Sequence, residues 1–261
     1  MADIVTERSD GVLDILLNRP KKKNAMTTSM YIAMADVLDA AAKDDDIRVV
    51  LWHGAGDSFS AGNDLEDFVK NPPGPGESPQ ARLISALINF EKPLVAAVHG
   101  AAIGGGTTML AHCDFVYAGE SARFQLPFVN LALVPEFGSS YLLPSRFGYV
   151  RAAELFLLGQ PFDAWRAADL GMVTQVVADQ SLLATATETA RKLAEKPPAA
   201  LQACKRLMKQ AVREQLVQAA TVENKEFAVR VRSAEANEAF AAFIEKRRPD
   251  FNRTKVPATA K

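Results

Sequence analysis

The strongest constraint on the fold is a change of pattern partway along the chain. Up to Pro135, short apolar runs typical of buried strands, such as Ile47–His53 and Pro93–His99, alternate with segments of helical spacing. From Arg151 onward helical patterns dominate. Strand–helix alternation followed by a run of helices predicts an α/β core with a C-terminal helical region.

The individual elements follow from periodicity and from turn residues. Strands are predicted at Ile4–Glu7, Val12–Leu17, Ile47–His53, Pro93–His99, Asp114–Tyr117 and Ala122–Gln125. Helices are predicted after Thr27 or Thr28, near Leu65, from Gly106 through Ala111, and at Ala152–Leu158, Ala164–Leu170, Leu182–Glu195, Ala199–Val212, Glu214–Arg230 and Ala234–Arg247. Residues 71–79 contain four prolines and two glycines and predict an irregular surface loop.

Composition argues against several classes of function. The 30 basic and 31 acidic residues nearly balance, whereas a nucleic-acid-binding protein normally shows a basic excess. Two cysteines and three scattered histidines offer no metal-ligand spacing, so we expect no metal site. We also expect no membrane span and, because the N-terminal stretch lacks the apolar segment of a signal peptide, a cytoplasmic location.

Two predicted strand-to-helix turns consist of small residues. Ser60-Ala61-Gly62 follows one buried strand, and Gly104-Gly105-Gly106 follows another. Backbone amides at a helix N-terminus have no partner within the helix, and small residues let a ligand approach them. Each turn alone also fits a plain structural role, as a helix cap at Asn63 or Asp64 or as tight helix–strand packing. Together they predict two amides aimed at one oxygen, which is the geometry of an oxyanion hole.

Glu136 is the candidate acid–base residue. It lies in Pro135-Glu-Phe-Gly-Ser-Ser140, where apolar neighbours can desolvate the carboxyl group and raise its pKa. The alternative is a glutamate in the first turn of a helix, stabilised by the helix dipole.

Four segments, taken in order, resemble the crotonase superfamily, also called enoyl-CoA hydratase/isomerase. They are Asn18-Arg-Pro-Lys-Lys-Lys-Asn-Ala-Met26, Ser60-Ala-Gly-Asn-Asp-Leu65, Gly100-Ala-Ala-Ile-Gly-Gly-Gly106 and Phe243-Ile-Glu-Lys-Arg-Arg-Pro249. The resemblance covers essentially the whole chain and implies a spiral core of ββα repeats with a C-terminal helical region. It also implies homotrimers or dimers of trimers. We therefore expect a core domain over residues 1–195 and a helical trimerisation region over residues 196–261.

The resemblance also implies the roles of individual residues. The amides of Ala61 and Gly105 would form the oxyanion hole, and coenzyme A would enter only as part of an acyl-CoA substrate, with no separate cofactor. The residues expected to line the substrate and coenzyme A site are Lys23, Ala25, Ala61, Gly62, Asn63, Asp64, Leu65, Phe128, Phe243 and Lys246. For Phe243, packing in the core beside Phe240 is an equal alternative, and Lys23 also fits a solvated loop.

The chain departs from the hydratase pattern of this family at two positions. Hydratases of this family carry glutamates where this chain has Thr108 and Phe128. Neither side chain can act as a general base near neutral pH. Glu136 instead matches the single catalytic glutamate of peroxisomal-type Δ3,Δ2-enoyl-CoA isomerases, which resemble this chain from Pro127-Phe128 through Pro135-Glu-Phe-Gly-Ser-Ser-Tyr-Leu-Leu-Pro144.

The function expected from this resemblance is isomerisation of a 3-enoyl-CoA to a 2-enoyl-CoA in fatty-acid or aromatic-acid breakdown. The alternatives are another reaction on an acyl-CoA enolate, including hydration, and a catalytically silent acyl-CoA-binding protein.

Overall fold

The computed structural model describes residues 2–72 and 78–254. Its strands are β1 (Ile4–Ser9), β2 (Val12–Leu17), β3 (Val49–Gly54), β4 (Leu94–Val98), β5 (Ala101–Ile103), β6 (Phe115–Gly119), β7 (Arg123–Gln125), β8 (Phe162–Asp163) and β9 (Gln175–Val177). Its helices are α1 (Thr28–Lys43), α2 (Leu65–Lys70), α3 (Pro79–Asn89), α4 (Gly105–Thr108), α5 (Ser139–Phe147), α6 (Tyr149–Leu158), α7 (Ala164–Asp169), α8 (Leu182–Ala194), α9 (Pro198–Arg230) and α10 (Ala234–Ile244). Short 3₁₀ turns occur at Pro20–Lys22, Met109–His112, Val129–Leu131, Asp179–Ser181 and Phe251–Arg253.

Two sheets form the core. The larger has the strand order β1-β2-β3-β4-β6-β9, in which only β1 and β2 pair antiparallel. The smaller has the order β5-β7-β8, with β5 and β7 parallel. Strand β4 belongs to the first sheet and β5, two residues later, to the second, so the chain changes sheet directly before the glycine run.

The central strands β3 and β4 of the larger sheet are buried on both faces. In β3, Val49 and Leu51 pack on one face with alanines of α8, whereas Val50 and Trp52 enter the main core on the other. Alternate residues of a strand point to opposite faces, so a strand covered on both sides reads as one continuous apolar run. This explains why the sequence between Ile47 and His53 shows no polar alternation.

The α/β core with a C-terminal helical region that the sequence predicts is confirmed, but several elements differ. Helix α3 was not predicted, although Leu83, Ile84, Leu87 and Ile88 form a buried stripe at helical spacing. The two helices predicted at 199–212 and 214–230 are one helix, α9, of 33 residues. The irregular loop predicted at 71–79 falls mainly on residues 73–77, outside the described residues.

The predicted division of the chain at residues 195 and 196 falls between α8 and α9. Helix α9 nevertheless packs against α3 and α5, and its Phe227 contacts Phe68 of α2 edge-on with ring centroids 5.7 Å apart. The trimerisation role of residues 196–261 stays a prediction.

Candidate functional site

A cavity of about 720 Å³ opens where the turns after β3 and β5 meet the segment that carries Glu136. Its wall includes Ala61, Gly62, Asn63, Gly105 and Glu136. Most of the predicted site residues therefore lie around one space. The further predicted residues in its wall are Ala25, Asp64, Leu65, Phe128, Phe243 and Lys246.

The loop from Ser60 to Asp64 is held against Met26 and against the glycine run. The amide of Met26 donates to the carbonyl of Gly62, and the amide of Asp64 donates to the carbonyl of Met26. These two bonds form a parallel β-bridge between Met26 and Asn63, in which the amide of Asn63 points away from Met26. Gly62 has φ +83°, and a Cβ there would lie 2.6 Å from the Ile103 carbonyl oxygen. Only glycine fits this close crossing of two backbones.

The amide of Ala61 is engaged within the protein, which corrects its predicted role as an oxyanion donor. It donates to the carbonyl of Lys23 at 2.8 Å. The amide of Asn63, two residues later, donates to no other group among the described residues. The same holds for the amide of Gly105, the first residue of α4, since the first amides of a helix have no partner within it. Asn63 and Gly105 thus each present an amide without a partner among the described residues.

Glu136 lies directly beside Gly105. A Cβ built on Gly105 would meet Oε1 of Glu136 at 2.7 Å and the Tyr31 hydroxyl at 3.3 Å. The absence of a side chain at Gly105 therefore lets the carboxylate and the free amide face the same space. The Asn63 side-chain amide reaches the same Oε1 at 3.4 Å.

The backbone that presents Glu136 is strained and is held from two sides. Phe137 has φ +63°, in the left-handed region that costs a non-glycine residue roughly 1–3 kcal/mol. Buried His112 bonds through Nε2 to the Phe137 carbonyl at 2.7 Å. Burial lowers the pKa of His112 to about 3, so the imidazole is neutral and donates this bond.

The second support is Glu223, a buried carboxylate from α9. Its oxygens accept the amides of Gly138 at 2.6 Å and Ser140 at 2.8 Å, which caps the N-terminus of α5. A carboxylate at this end of a helix also interacts favourably with the helix dipole. The turn that carries Glu136 is therefore fixed by a residue 87 positions distant in sequence from the base.

Burial raises the pKa of Glu136 to about 8, with the negative charge of Glu223 acting in the same direction and the Asn63 hydrogen bond opposing both. Glu136 is only 3% exposed. A carboxyl group with a pKa near neutral is suited both to accept and to return a proton.

The two other carboxylates in the cavity wall are engaged elsewhere. Asp64 caps α2 through the amides of Glu66 and Asp67 and pairs with Arg19 at 3.0 Å. Glu66 pairs with Lys22 at 3.3 Å, and its side chain is two-thirds exposed. Neither resembles Glu136, whose side chain has one hydrogen bond within the described residues, the long one from Asn63.

Thr108 and Phe128 offer no second base. The hydroxyl of Thr108 turns back to the Gly104 carbonyl at 3.3 Å. Phe128 is buried, packs near Phe156 with centroids 6.3 Å apart, and lines the cavity. The cavity wall is therefore apolar at Phe128, where the hydratase pattern has a carboxylate.

The coenzyme A side of the site differs from the prediction at one residue. Lys22 lies in the cavity wall and Lys23 does not; the exposed Lys23 contributes its carbonyl to the Ala61 amide instead. Phe243 is 63% exposed, whereas Phe240 is buried. Core packing therefore does not account for Phe243, which lies at the mouth of the cavity together with Lys246.

The sequence did not predict Lys22, Tyr31 and Glu223 as residues of this site, and it predicted Asn63 as a lining residue without the role of its backbone amide. Lys22 sits one position from the predicted lysine, and the Asn63 amide two positions from the predicted donor. Tyr31 and Glu223 lie on α1 and α9, and no local pattern distinguishes them from ordinary helix residues. Their roles depend on contacts between distant parts of the chain.

Within residues 2–72 and 78–254, no cluster of three or more His, Cys, Asp or Glu side chains could hold a metal ion. No helix in the same described ranges is long and apolar enough to cross a membrane.

Residues 7–254 match the family described as enoyl-CoA hydratase/isomerase. The chain is 36% identical over 258 residues to 1,2-epoxyphenylacetyl-CoA isomerase of Escherichia coli, covering 96% of this chain and 98% of that protein. It is 33% identical to 2,3-dehydroadipyl-CoA hydratase of the same organism, covering 96% and 99%.

Human enoyl-CoA delta isomerase 2 is 38% identical over 82% of this chain, and the match spans 56% of that protein. A crystal structure of an enoyl-CoA hydratase/isomerase from Pseudoalteromonas atlantica T6c superposes with a TM-score of 0.91 at 41% identity, covering 96% of this chain and all of that one. Isomerases and a hydratase thus occur at comparable identity, so these similarities establish the family rather than the reaction.

Proposed function

Because the chain belongs to the enoyl-CoA hydratase/isomerase family, we propose that it moves the double bond of a 3-enoyl-CoA to the 2-position, with Glu136 as the proton carrier. The observation that carries this proposal is the buried carboxylate of Glu136 beside Asn63 and Gly105, in a cavity whose wall is apolar at Phe128. Hydration would require a second group to orient water, and Thr108 and Phe128 stand where the family's hydratases carry it.

The reaction begins with a proton transfer to Glu136. Its carboxylate takes a proton from C2 of the substrate, and the electron pair moves toward the thioester carbonyl to give a dienolate. The amides of Asn63 and Gly105 donate to the thioester oxygen, where the negative charge collects. Each such donor contributes roughly 3 kcal/mol of transition-state stabilisation.

The same carboxyl group completes the shift. Protonated Glu136 returns its proton to C4, the double bond forms between C2 and C3, and the carboxylate is regenerated. The raised pKa of about 8 keeps the protonated form accessible between the two transfers. Phe128 limits the access of water to the conjugated product, which favours isomerisation over hydration.

Ala25, Gly62, Asp64, Leu65, Phe243 and Lys246 are proposed to contact the coenzyme A part of the substrate, with Lys22 in place of Lys23 at the cavity wall. A cytoplasmic location and a trimer or dimer of trimers belong to the same proposal.

The test is to give the purified protein a 3-enoyl-CoA and a 2-enoyl-CoA separately. We expect conjugation of the first, followed by its ultraviolet absorbance, and negligible addition of water to the second. Glu136→Gln should abolish conjugation while leaving thermal stability at neutral pH equal or higher. Strong hydration of the 2-enoyl substrate that survives Glu136→Gln would instead show a different reaction.

A further inference from the structure

Tyr31, Asn63 and Glu136 form a short hydrogen-bonded chain at the site. The Tyr31 hydroxyl contacts Oδ1 of Asn63 at 2.6 Å, and Nδ2 of Asn63 reaches Oε1 of Glu136 at 3.4 Å. Tyr31 is fully buried in α1, Asn63 lies in the turn after β3, and Glu136 precedes α5. Three separate parts of the fold therefore meet at one carboxylate.

The direction of the bonds in this chain is determined. Burial, together with the nearby charge of Glu136, raises the pKa of Tyr31 well above its usual value, so the phenol stays protonated and donates. The atom that accepts from it is the amide oxygen of Asn63, at 2.6 Å. The amide nitrogen then faces Glu136, where its N–H can bind the carboxylate.

The carboxylate has few other partners. The charged and titratable groups packed around its segment are Glu223 from α9, the neutral His112 before β6, and the Tyr31 hydroxyl from α1. Glu223 disfavours the ionised form of Glu136, and His112 contacts the backbone rather than the carboxylate. None of these three groups donates to the carboxylate of Glu136, whereas the side-chain amide of Asn63 does.

We propose that the Asn63 side chain, oriented by Tyr31, is a positioning residue that holds Glu136 ionised and directed at the substrate. This inference deepens the proposed function and rests on it. Asn63 then serves the reaction twice: its backbone amide faces the thioester oxygen, and its side-chain amide faces the base that creates the charge there. The Tyr31 hydroxyl acts only through Asn63.

The experiment compares Asn63→Ala, Tyr31→Phe and the double variant in 3-enoyl-CoA conjugation. Alanine at position 63 keeps the backbone amide and removes both the donor to Glu136 and the acceptor for the Tyr31 hydroxyl. We expect kcat to fall about 10- to 100-fold, with KM within about twofold, and the acidic limb of the pH–rate profile to move to higher pH. Tyr31→Phe should change kcat in the same direction by a smaller factor.

The double variant separates positioning from packing. If Tyr31 acts through Asn63, Tyr31→Phe has no further effect on kcat once Asn63 is alanine. Tyr117→Phe is the matched control, because the Tyr117 hydroxyl bonds to Thr189 at 2.8 Å in the region covered by α8. It should leave kcat and the pH profile unchanged. The proposal would be overturned if the effects of the two single substitutions on kcat multiplied in the double variant. It would also be overturned if the acidic limb of the pH–rate profile did not move in Asn63→Ala.

A measurement without substrate distinguishes this proposal from the proposed function. The pKa of Glu136 can be followed by ¹³C NMR of carboxyl-labelled glutamate, with its signal assigned by its loss in Glu136→Gln. A higher pKa in Asn63→Ala supports the positioning role even if no 3-enoyl-CoA is converted. An unchanged pKa contradicts it even if conjugation is fast.

Discussion

Glu136 is a carboxyl group in surroundings that disfavour its charge. It is buried and close to a second carboxylate, and its one side-chain donor lies at 3.4 Å. The catalytic value of this arrangement is that both protonation states are accessible near neutral pH. The same arrangement destabilises the folded state, because an ionised group is held away from water.

The pH dependence of activity follows from the pKa of about 8. The ionised form is the base, so kcat/KM for conjugation should rise with pH at about tenfold per unit and level off above about pH 8. The measurement is the profile of kcat/KM from about pH 6 to about pH 9. A profile that is flat or falls over this range would be inconsistent with a buried glutamate as base.

The raised pKa of Glu136 also determines whether the stability of the folded protein rises or falls with pH. The pKa of Glu136 in the folded state, about 8, lies above the reference value of 4.5, so between these values the folded protein binds the extra proton. Stability therefore falls as pH rises through this window. The gain in melting temperature on Glu136→Gln should accordingly be larger at alkaline pH than at pH values below the reference pKa.

At the scale of elements, α9 reaches across the chain to fix the turn before α5. Glu223 accepts two amides of that turn, and its charge raises the pKa of Glu136. A helix of the C-terminal region thus contributes to both the geometry and the ionisation of the candidate base.

Glu223→Gln should therefore have two effects. The substitution leaves a buried amide donor poorly paired, which we expect to cost about 1–3 kcal/mol of stability. It also removes a negative charge, so the acidic limb of the pH–rate profile should move to lower pH. Thermal unfolding and the pH profile provide the measurements.

The matched control is Glu226→Gln, three residues along α9. Glu226 pairs with Arg230 at 2.7 Å with the two side chains 42% and 46% exposed, and helical pairs of this kind contribute only about 0.5 kcal/mol or less. Glu226→Gln should change neither the thermal unfolding nor the pH profile of activity appreciably. An acidic limb that stays in place in Glu223→Gln would show that the charge of Glu223 does not reach the base.

The sequence predicts elements best where the pattern is local. Buried strands such as β3 and the small-residue turns were visible because apolar runs and glycines are themselves the signal. Helix α3 was missed because the proline-rich stretch obscured its start, although Ser78 caps it and Pro79 fits a first helical position. The sequence patterns predicted a break between two helices at Arg213. No glycine or proline stands there to end a helix, and α9 continues through this position.

The choice of amide could not be read from sequence for a different reason. Ala61 and Asn63 lie in the same small-residue turn, and which one is free depends on the Lys23 carbonyl, 38 residues earlier. The contacts of Glu223 and Tyr31 are also long-range. Sequence patterns indicate where a site forms, but the partners of individual polar groups are set by tertiary packing.

At the scale of the whole molecule, the described surface carries large apolar side chains on the later helices. Those more than half exposed on α6, α7, α9 and α10 are Tyr149, Val150, Leu157, Leu158, Trp165, Leu207, Met208, Val222, Val229, Phe243 and Ile244. Extensive exposed apolar surface marks protein–protein interfaces. This agrees with the proposed trimer or dimer of trimers.

Light scattering coupled to size-exclusion chromatography should therefore give three or six chain masses. Because Phe243 lies at the mouth of the cavity, dilution that dissociates the assembly should also lower activity per chain. A monomer with full activity across the concentration range would rule out the assembly and its contribution to the site.

The central claim is that one carboxyl group carries the proton from C2 to C4. It is tested most directly by a single turnover of a 3-enoyl-CoA bearing two deuterium atoms at C2, in ordinary water, with mass-spectrometric and NMR analysis of the product. We predict that a measurable share of the product carries deuterium at C4, transferred by Glu136. A C4 hydrogen drawn entirely from solvent would contradict the claim.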